Sequence, residues 1–345
     1  MMRNSCRIYC RGAIKKGDEK MSGISYFPYL RGRQSELLAL RDLMVVGKLS
    51  PHVIPIIEPV KDTSTIRSVL AEFQRSDHAV IIVLNPEHGE FVTDHYAGRV
   101  QESLCLRELS QVIPMVLMNS QIRDVLNFTK RRQWQTNPLN LATIVPQDYE
   151  LDSRGFILGL NELSPELVFY TDIEAREDAI ISLENVNSDK VHFAQIIDRF
   201  NRRERNVDYA EKPDEAFSRD YRKCELRGDG GFSDYSIVGN HFSEGGFAPY
   251  AVAIHIVYFN ENQSMLRIKH YVSDTNVDYR DVPNKFSEAV NKLVPDVKSG
   301  VIEETEGIRH LMQQAHDGTF PGLATVKRWS IMHHLELMGR YLDNK

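Results

Sequence analysis

The sequence lacks most of the features by which a protein class is usually identified. It contains no apolar run close to the ~18 residues that a membrane-spanning helix needs, so we do not expect a membrane protein. Its cysteines have the spacing neither of a zinc site nor of a disulfide framework. They are Cys6, Cys10, Cys105 and Cys224. Reduced cysteines are typical of the cytoplasm, and we therefore expect a cytoplasmic protein.

An excess of positive charge is also absent. The chain has 42 Lys and Arg residues against 48 Asp and Glu residues, which gives a formal net charge of −6. Nucleic-acid-binding domains usually present a basic surface, so bulk nucleic-acid binding is not expected. The sequence also lacks a nucleophile elbow, a phosphate loop, a dinucleotide fingerprint and a metal-ligand motif. No reaction class can therefore be assigned from a motif.

A regular alternation of apolar runs and helical patterns begins near Tyr26. Seven runs start about every 26 to 33 residues, and each is almost continuously apolar. Such runs are typical of parallel strands that are covered on both faces. Between the second and third runs, Ile66, Val69, Leu70 and Phe73 form one helical stripe. The predicted strands are residues 26–30, 53–57, 79–84, 112–118, 141–145, 167–170, 193–197 and, as the eighth, 235–238.

This alternation predicts an α/β fold, a (β/α)8 TIM-like barrel with an added C-terminal β-hairpin and helices. Eight βα units between residues 26 and 239 match the roughly 200–250 residues of such a barrel. A doubly wound open sheet has the same alternation and remains the alternative.

The end of the chain departs from the repeat. Residues 250–259 and 265–272 flank a polar turn and predict a hairpin, although residues 251–258 could instead be the eighth barrel strand. Two helices are expected after residue 301, with a break at 317–322. The predicted organisation is a disordered or non-native leader (1–20), a barrel domain with the late hairpin (21–300) and a helical extension (301–345). We expect Met21 to be the natural start, because a purine-rich ribosome-binding sequence could encode the residues before it.

Polar residues follow nearly every predicted strand, where the loops that carry barrel active sites gather. Glu58, Asp172 and Asp198 are the expected catalytic carboxylates, and they could also contact a divalent metal, although the cofactor is unknown. A simpler interpretation is that polar loops merely begin at strand ends. The expected ligand-binding residues are Arg31, Arg33, Lys61, Asn85, His88, Asn119 and Arg199.

Three local features support a site of this kind. His88 lies in a turn between two glutamates, a pattern that suits acid–base chemistry but also occurs in surface turns. Residues 199–206 contain four arginines, which suit a phosphate, a carboxylate or an RNA backbone. His255 lies in an apolar run and is expected to hydrogen-bond to another element.

Several blocks resemble the bacterial and phage "beta protein" family. Residues 26–33 (YFPYLRGR) and 36–41 (ELLALR) resemble its opening, and residues 54–61 (IPIIEPVK) resemble its second strand. Later blocks at 197–209, 231–235 and 251–255 are also similar, so the resemblance covers about residues 26–293. The family has no established activity, and the resemblance therefore implies no catalytic residue. Its occurrence in mobile and defence-associated gene clusters implies a role in phage defence or its regulation.

Two hypotheses follow for the function. The first is a present or former barrel enzyme that acts on a phosphorylated or nucleotide-like ligand, whose anion Arg31, Arg33 and Arg199 would hold. The second is a non-catalytic sensor or scaffold that binds a protein partner through the hairpin and the C-terminal helices. The polar strand ends favour the first hypothesis, and the missing catalytic motif favours the second. Whether the protein is an enzyme stays open.

Overall fold

Eight parallel strands close into a barrel in the computed structural model, which describes residues 23–92, 99–118, 142–145, 165–183, 191–243 and 249–345. The predicted (β/α)8 class is thereby confirmed, and the open-sheet alternative is wrong. The ring is closed by β9, which pairs with β7 on one side and with β1 on the other. The barrel strands are β1 (Ser25–Leu30), β2 (Ile56–Ile57), β3 (Val80–Val83), β4 (Val112–Leu117), β5 (Ala142–Val145), β6 (Leu167–Tyr170), β7 (His192–Ile197) and β9 (Gly231–Asp234).

Alternate side chains of these strands face opposite sides of the barrel wall. Phe27 and Tyr29 of β1 belong to the cluster that fills the barrel, together with residues of β3, β4, β6 and β7. Tyr26 and Leu30 belong to the larger cluster beneath the surrounding elements. Because both faces are covered, both sets are apolar, and this explains the continuous apolar runs of the sequence.

The eighth barrel strand lies four residues before its predicted position. Residues 235–238 form the turn after β9, in which the Val238 amide donates to the Tyr235 carbonyl, so that prediction is wrong. Two of the four β9 residues are polar, and Ser233 satisfies its hydroxyl on the Phe27 carbonyl at 2.6 Å. Gly231 is required because a Cβ there would lie 2.2 Å from the Ser25 carbonyl oxygen.

The alternative eighth strand, residues 251–258, is also wrong. That segment forms β10 (Ala253–Phe259), which pairs with β11 (Leu266–Val272) as the predicted hairpin. A third antiparallel strand, β8 (Asp214–Ser218), joins β11 and was not predicted. The hairpin is therefore two-thirds of a separate three-stranded sheet beside the barrel.

Helices cover the barrel and this sheet. The predicted stripe of α2 is buried, and Thr63 caps that helix by accepting a hydrogen bond from the Ile66 amide. None of the helices in the described parts of the chain combines the length and the apolar character needed to cross a membrane. The helices are α1 (Gln34–Val45), α2 (Ser64–Arg75), α3 (Arg99–Ser103), α4 (Ile173–Leu183), α5 (Asp220–Arg227), α6 (Val282–Lys298), α7 (Glu306–Asp317) and α8 (Leu323–Asp343).

The last helix, α8, is part of the barrel's outer layer. It packs against α1, β1 and β10, and the His334 ring lies 5.5 Å from the ring of Tyr26. Gly339 allows a close approach, since a Cβ there would lie 2.8 Å from the Ser50 Cβ. The predicted helical extension therefore ends in a helix that is seated on the barrel.

Candidate functional site

A pocket of about 690 Å³ opens beside the carboxyl ends of the barrel strands. This is the end at which α/β barrels carry their sites, because the loops that follow the strands gather there. Its lining consists of Tyr29, Arg31, Glu58, Glu87, His88, Leu117, Met118, Ile144, Thr171, Tyr235, Asn240, His241 and Phe242.

Glu58, directly after β2, is the most buried charged residue of this pocket, with 1% of its surface exposed. One carboxylate oxygen accepts hydrogen bonds from the Glu87 amide at 2.8 Å and from His88 Nδ1 at 3.0 Å. The other accepts from the Tyr29 hydroxyl at 3.0 Å and lies 3.5 Å from Arg31 Nε. A buried carboxylate is tolerated only with such partners, so this arrangement fixes the side chains around it.

His88 is oriented by that carboxylate. An ionised carboxylate can only accept, so the proton of the Glu58 hydrogen bond resides on Nδ1, and a neutral ring then presents Nε2 as an acceptor. The His88 side chain is 30% exposed, and its ring packs 4.7 Å from that of Phe242. Gly89 has φ +83°, and a Cβ there would lie 2.1 Å from the Val60 carbonyl oxygen. The turn that carries His88 therefore lies directly against the chain beyond Glu58.

Arg31 is the buried cation of the pocket, with 6% of its surface exposed. Its Nη2 donates to the side-chain oxygen of Asn240 at 2.7 Å. Its guanidinium carbon lies 5.6 Å from the ring centroid of Tyr235 and 5.9 Å from that of Phe242. The Nε group is buried, lies 3.5 Å from the Glu58 carboxylate and makes no hydrogen bond within the described residues. Arg31 is therefore held at the pocket by its ion pair with Glu58 and its bond to Asn240.

The two tyrosines of the pocket stay protonated. Burial, followed by the charge of Glu58, raises the pKa of Tyr29 well above its usual range. Burial also raises the pKa of Tyr235 to about 12. Both hydroxyls can therefore act as neutral donors near pH 7.

The other two predicted catalytic carboxylates have structural partners. Asp172 accepts a hydrogen bond from the Ala175 amide at 2.9 Å and so caps the first turn of α4. Asp198 accepts from the backbone amides of Phe200 at 3.0 Å and Asn240 at 2.7 Å. Neither lines the pocket, so the predicted convergence of three carboxylates is corrected. Asp198 still acts on the site, because it positions the residue that holds Arg31.

Some of the predicted ligand-binding residues lie at the pocket, and others have structural partners elsewhere. Arg199 is engaged by both carboxylate oxygens of Asp220 at 2.6 Å, away from the pocket. The Asn85 side chain bonds both backbone groups of Leu117 and so locks β3 to β4. Arg33 donates to the Ser243 carbonyl at the rim, and its guanidinium lies 4.8 Å from the Phe242 ring centroid. Lys61 is exposed.

Asn119 lies outside the described residues. Within the described residues, no three His, Cys, Asp or Glu side chains are grouped so that they could hold a metal. The structure thus brings together Arg31, Glu58 and His88 of the predicted set.

Sequence reasoning missed the aromatic part of the site. Tyr29 lies inside a strand, where an aromatic residue indicates only packing, and Phe242 follows the misplaced eighth strand. Asn240 could not be found because its partner, Arg31, is 209 positions away. The signal that could have identified Tyr29 is the alternation of side chains along β1, which places Tyr29 on the inner face of the barrel.

No protein-family model matches this chain, and no curated protein matches it. Among solved structures, the chain is similar to a protein from Coccidioides immitis that is assigned to the dihydrodipicolinate synthase family. The match has 10% sequence identity and a TM-score of 0.38, and it covers 93% of this chain and 97% of the other.

Proposed function

We propose that the barrel mouth binds a small phosphorylated or nucleotide-like molecule and that His88 moves a proton to or from it. The observation that carries this proposal is the hydrogen bond between Glu58 and His88 in a pocket that also contains the buried cation Arg31. A carboxylate that orients an imidazole beside a cavity is a recurring acid–base arrangement.

Arg31 supplies the attraction for an anion. Its charge is shared with Glu58, but that carboxylate is also engaged by Tyr29, His88 and the Glu87 amide. Arginine binds phosphate oxygens through several N–H groups in one plane, and such charge-assisted bonds are roughly twice as strong as neutral ones. Two histidines, His88 and His241, line the same pocket.

The aromatic lining suits the rest of such a ligand. Tyr29, Tyr235 and Phe242 present rings around Arg31, and aromatic faces stack on nucleobases. A volume of about 690 Å³ lies well within the roughly 300–1,000 Å³ of small-molecule sites.

The proposal extends to the biological setting that the sequence implies. Membership of the "beta protein" family would give this protein a role in phage defence, in the cytoplasm, with the pocket binding a nucleotide-like molecule. Support comes from the resembling blocks, because residues 26–33 and 54–61 contain Arg31 and Glu58 of the pocket.

The second candidate is a non-catalytic scaffold that binds a protein partner. The observation that favours it is a set of exposed apolar side chains near one end of the hairpin sheet. Tyr250 precedes β10, and Val277 and Tyr279 follow β11, with exposures of 57%, 86% and 57%. In that case the partner would bind at the hairpin end, because α8 is mostly buried.

A thermal-shift screen with nucleotides and sugar phosphates tests the first candidate. A ligand at about 100 times its dissociation constant adds roughly 2.7 kcal/mol to stability, which raises Tm by a few degrees. Arg31→Lys keeps the charge but loses the planar donor set, so we expect it to abolish the shift. Lys61→Gln is the matched control, because it removes an exposed cation outside the pocket, and it should behave as the wild type.

The proton-transfer role needs a separate variant. His88→Gln should retain ligand binding and lose any conversion of the bound ligand. Equal behaviour of Arg31→Lys and Lys61→Gln, or the absence of any stabilising ligand in the screen, would contradict the proposal and favour the scaffold.

A further inference from the structure

A second pocket lies beside the three-stranded sheet. It has a volume of about 310 Å³ and is enclosed by residues 200–209, the start of β10 and the first turns of α8. Among the described residues, none lines both this pocket and the barrel-mouth pocket. We call it the sheet-side pocket.

The charged side chains of its lining are mostly cationic. Arg202, Arg203 and Lys327 all contribute, against one carboxylate, that of the exposed Glu204. Within the described residues, neither Arg202 nor Lys327 has a carboxylate at ion-pairing distance. Arg203 is ion-paired through Nη2 with Glu215 at 3.4 Å, and its buried Nε has no hydrogen-bond partner among the described residues. Two cations that line one pocket without a carboxylate partner indicate an anionic ligand.

A chain of three hydrogen-bonded side chains ends at His255, which lines the same pocket. Glu215 is ionised, because hydrogen bonds from Lys212, His270 and Asn201 lower its pKa despite the opposing effect of burial. Its carboxylate lies 3.3 Å from His270 Nε2, and His270 Nδ1 lies 2.7 Å from His255 Nδ1.

Because both histidine rings of this chain are neutral, the ring nitrogen that carries each proton can be assigned. Burial lowers the pKa of His270 and lowers that of His255 to about 3. Since Glu215 only accepts, the His270 proton is on Nε2, and its Nδ1 accepts from His255 Nδ1. His255 Nε2 therefore carries a lone pair, and it has no partner among the described residues. A lone pair of this kind accepts a hydrogen bond from a hydroxyl group.

We propose that the sheet-side pocket binds a compact sugar or polyol phosphate, with Arg202 and Lys327 on the phosphate and His255 Nε2 accepting from a ligand hydroxyl. The pocket has both the cations and the hydrogen-bond acceptor within about 310 Å³, a volume near the lower end of small-molecule sites. The rings of Phe200 and Tyr209 form an apolar wall for the carbon skeleton.

An RNA backbone fits the same arginines less well. Arg199 and Arg205, the other two arginines of residues 199–206, are paired with Asp220 and Asp208. Two arginines and a lysine around one pocket of about 310 Å³ do not form the extended basic groove that tracks a nucleic-acid strand.

Titration calorimetry of the full chain with glucose 6-phosphate and with methyl phosphate tests the proposal. Both probes carry the anion, but only glucose 6-phosphate carries hydroxyl groups, so we expect it to bind more tightly. Arg202→Gln and Lys327→Gln should each weaken binding about tenfold, because each removes a charge-assisted hydrogen bond. Arg205→Gln is the matched control: it removes an exposed arginine of the same segment that does not line the pocket.

Each result decides the proposal. No binding of either probe at millimolar concentration would overturn it, as would an equal loss in Arg205→Gln, which would indicate diffuse charge attraction. Equal affinity for the two probes would remove the role of His255. Because the barrel mouth is also proposed to bind phosphorylated molecules, the titrations are repeated in Arg31→Lys. Glucose 6-phosphate binding that is lost with Arg31 belongs to the barrel mouth and overturns this proposal. Binding that persists in Arg31→Lys and is weakened by Arg202→Gln belongs to the sheet-side pocket.

Discussion

Asp234 gives the protein a pH-dependent stability that can be calculated from its surroundings. The carboxyl group lies at the end of β9 with 2% of its surface exposed. It accepts hydrogen bonds from the Tyr26 hydroxyl at 2.6 Å and the Ser236 amide at 2.7 Å. Burial nevertheless raises its pKa to about 7 from an ordinary value of 3.8, with smaller contributions from the charges of Asp220 and Asp198.

Whether stability rises or falls with pH depends on whether the folded or the unfolded state binds the proton of Asp234. Below about pH 4 both the folded and the unfolded chain are protonated, and above about pH 7 both are ionised. Between these limits the folded state keeps a proton that the unfolded state has released, so folding becomes less favourable as the pH rises. From pH 5 to pH 7 the pKa difference acts over two pH units, at about 1.4 kcal/mol each. Because the folded state is already half ionised at pH 7, Asp234 should remove about 2 kcal/mol of stability by pH 7 and about 3 kcal/mol by pH 8.5.

Asp234→Asn isolates this effect. The asparagine oxygen can still accept from Tyr26 and Ser236, but the group no longer titrates. Urea unfolding of both proteins at pH 5 and pH 8.5 gives two free-energy differences, and subtracting them cancels every other titrating group. We expect the wild type to lose about 3 kcal/mol more than the variant. Parallel losses in the two proteins would show that the carboxyl group is ionised throughout and would refute the reasoning. Tyr26→Phe should move the transition to higher pH, because the Tyr26 hydroxyl lowers the pKa of Asp234.

Two glycine substitutions test the close contacts of the fold by urea unfolding. Gly307→Ala would place a Cβ 2.0 Å from the Trp329 carbonyl oxygen, so we expect it to separate α7 from α8 and to destabilise the protein by about 1–3 kcal/mol or more. Gln313→Ala, on the exposed side of the same helix, should stay within about 0.5 kcal/mol of the wild type. Gly89→Ala should cost more than Gly47→Ala, because both have positive φ but only Gly89 would contact backbone atoms. Equal costs would mean that the turn carrying His88 is free to move.

Seven of the barrel strands could be predicted because their chemistry is uniform. Each is covered on both faces, so each appears in the sequence as an uninterrupted apolar run. The eighth differs because Ser233 and Asp234 are polar residues whose partners come from β1. Those partners lie more than 200 positions earlier in the chain. Local periodicity therefore cannot identify a strand whose polar groups find their hydrogen-bond partners so far away in the sequence.

The unpredicted strand β8 shows the same limit. Its sequence, DEAFS, contains two carboxylates, and Glu215 is 96% shielded only because Lys212, Arg203 and His270 surround it. Charged residues in a polar segment are typical of a loop, so the sequence does not indicate a strand there. The residues that stabilise this strand contact it only in the folded chain, and the local sequence does not show those contacts.

The site was predictable to the extent that topology alone decides it. Arg31, Glu58 and His88 follow adjacent strands of a barrel, and the rule that strand ends converge brings them together. The same rule applies to Asp172 and Arg199, but it does not show which polar group is already engaged. Asp172 already accepts a hydrogen bond from an amide of α4, and Arg199 already donates to Asp220. Separating such groups from site residues requires the partner, and the partner is a property of the fold.

The last helix changes how the scaffold hypothesis can be tested. Most of its apolar side chains are buried, and so are the polar side chains of His333 and Glu336. His333 bonds Thr305 and the Val257 carbonyl, and Glu336 accepts from the Glu306 amide. Deleting residues 301–345 would therefore expose β10 and the outer face of β1, and the resulting loss of function would reflect unfolding. Substitutions at the exposed hairpin end, such as Val277→Ser, leave these contacts intact, and for that reason they are the variants that can separate a partner surface from a structural one.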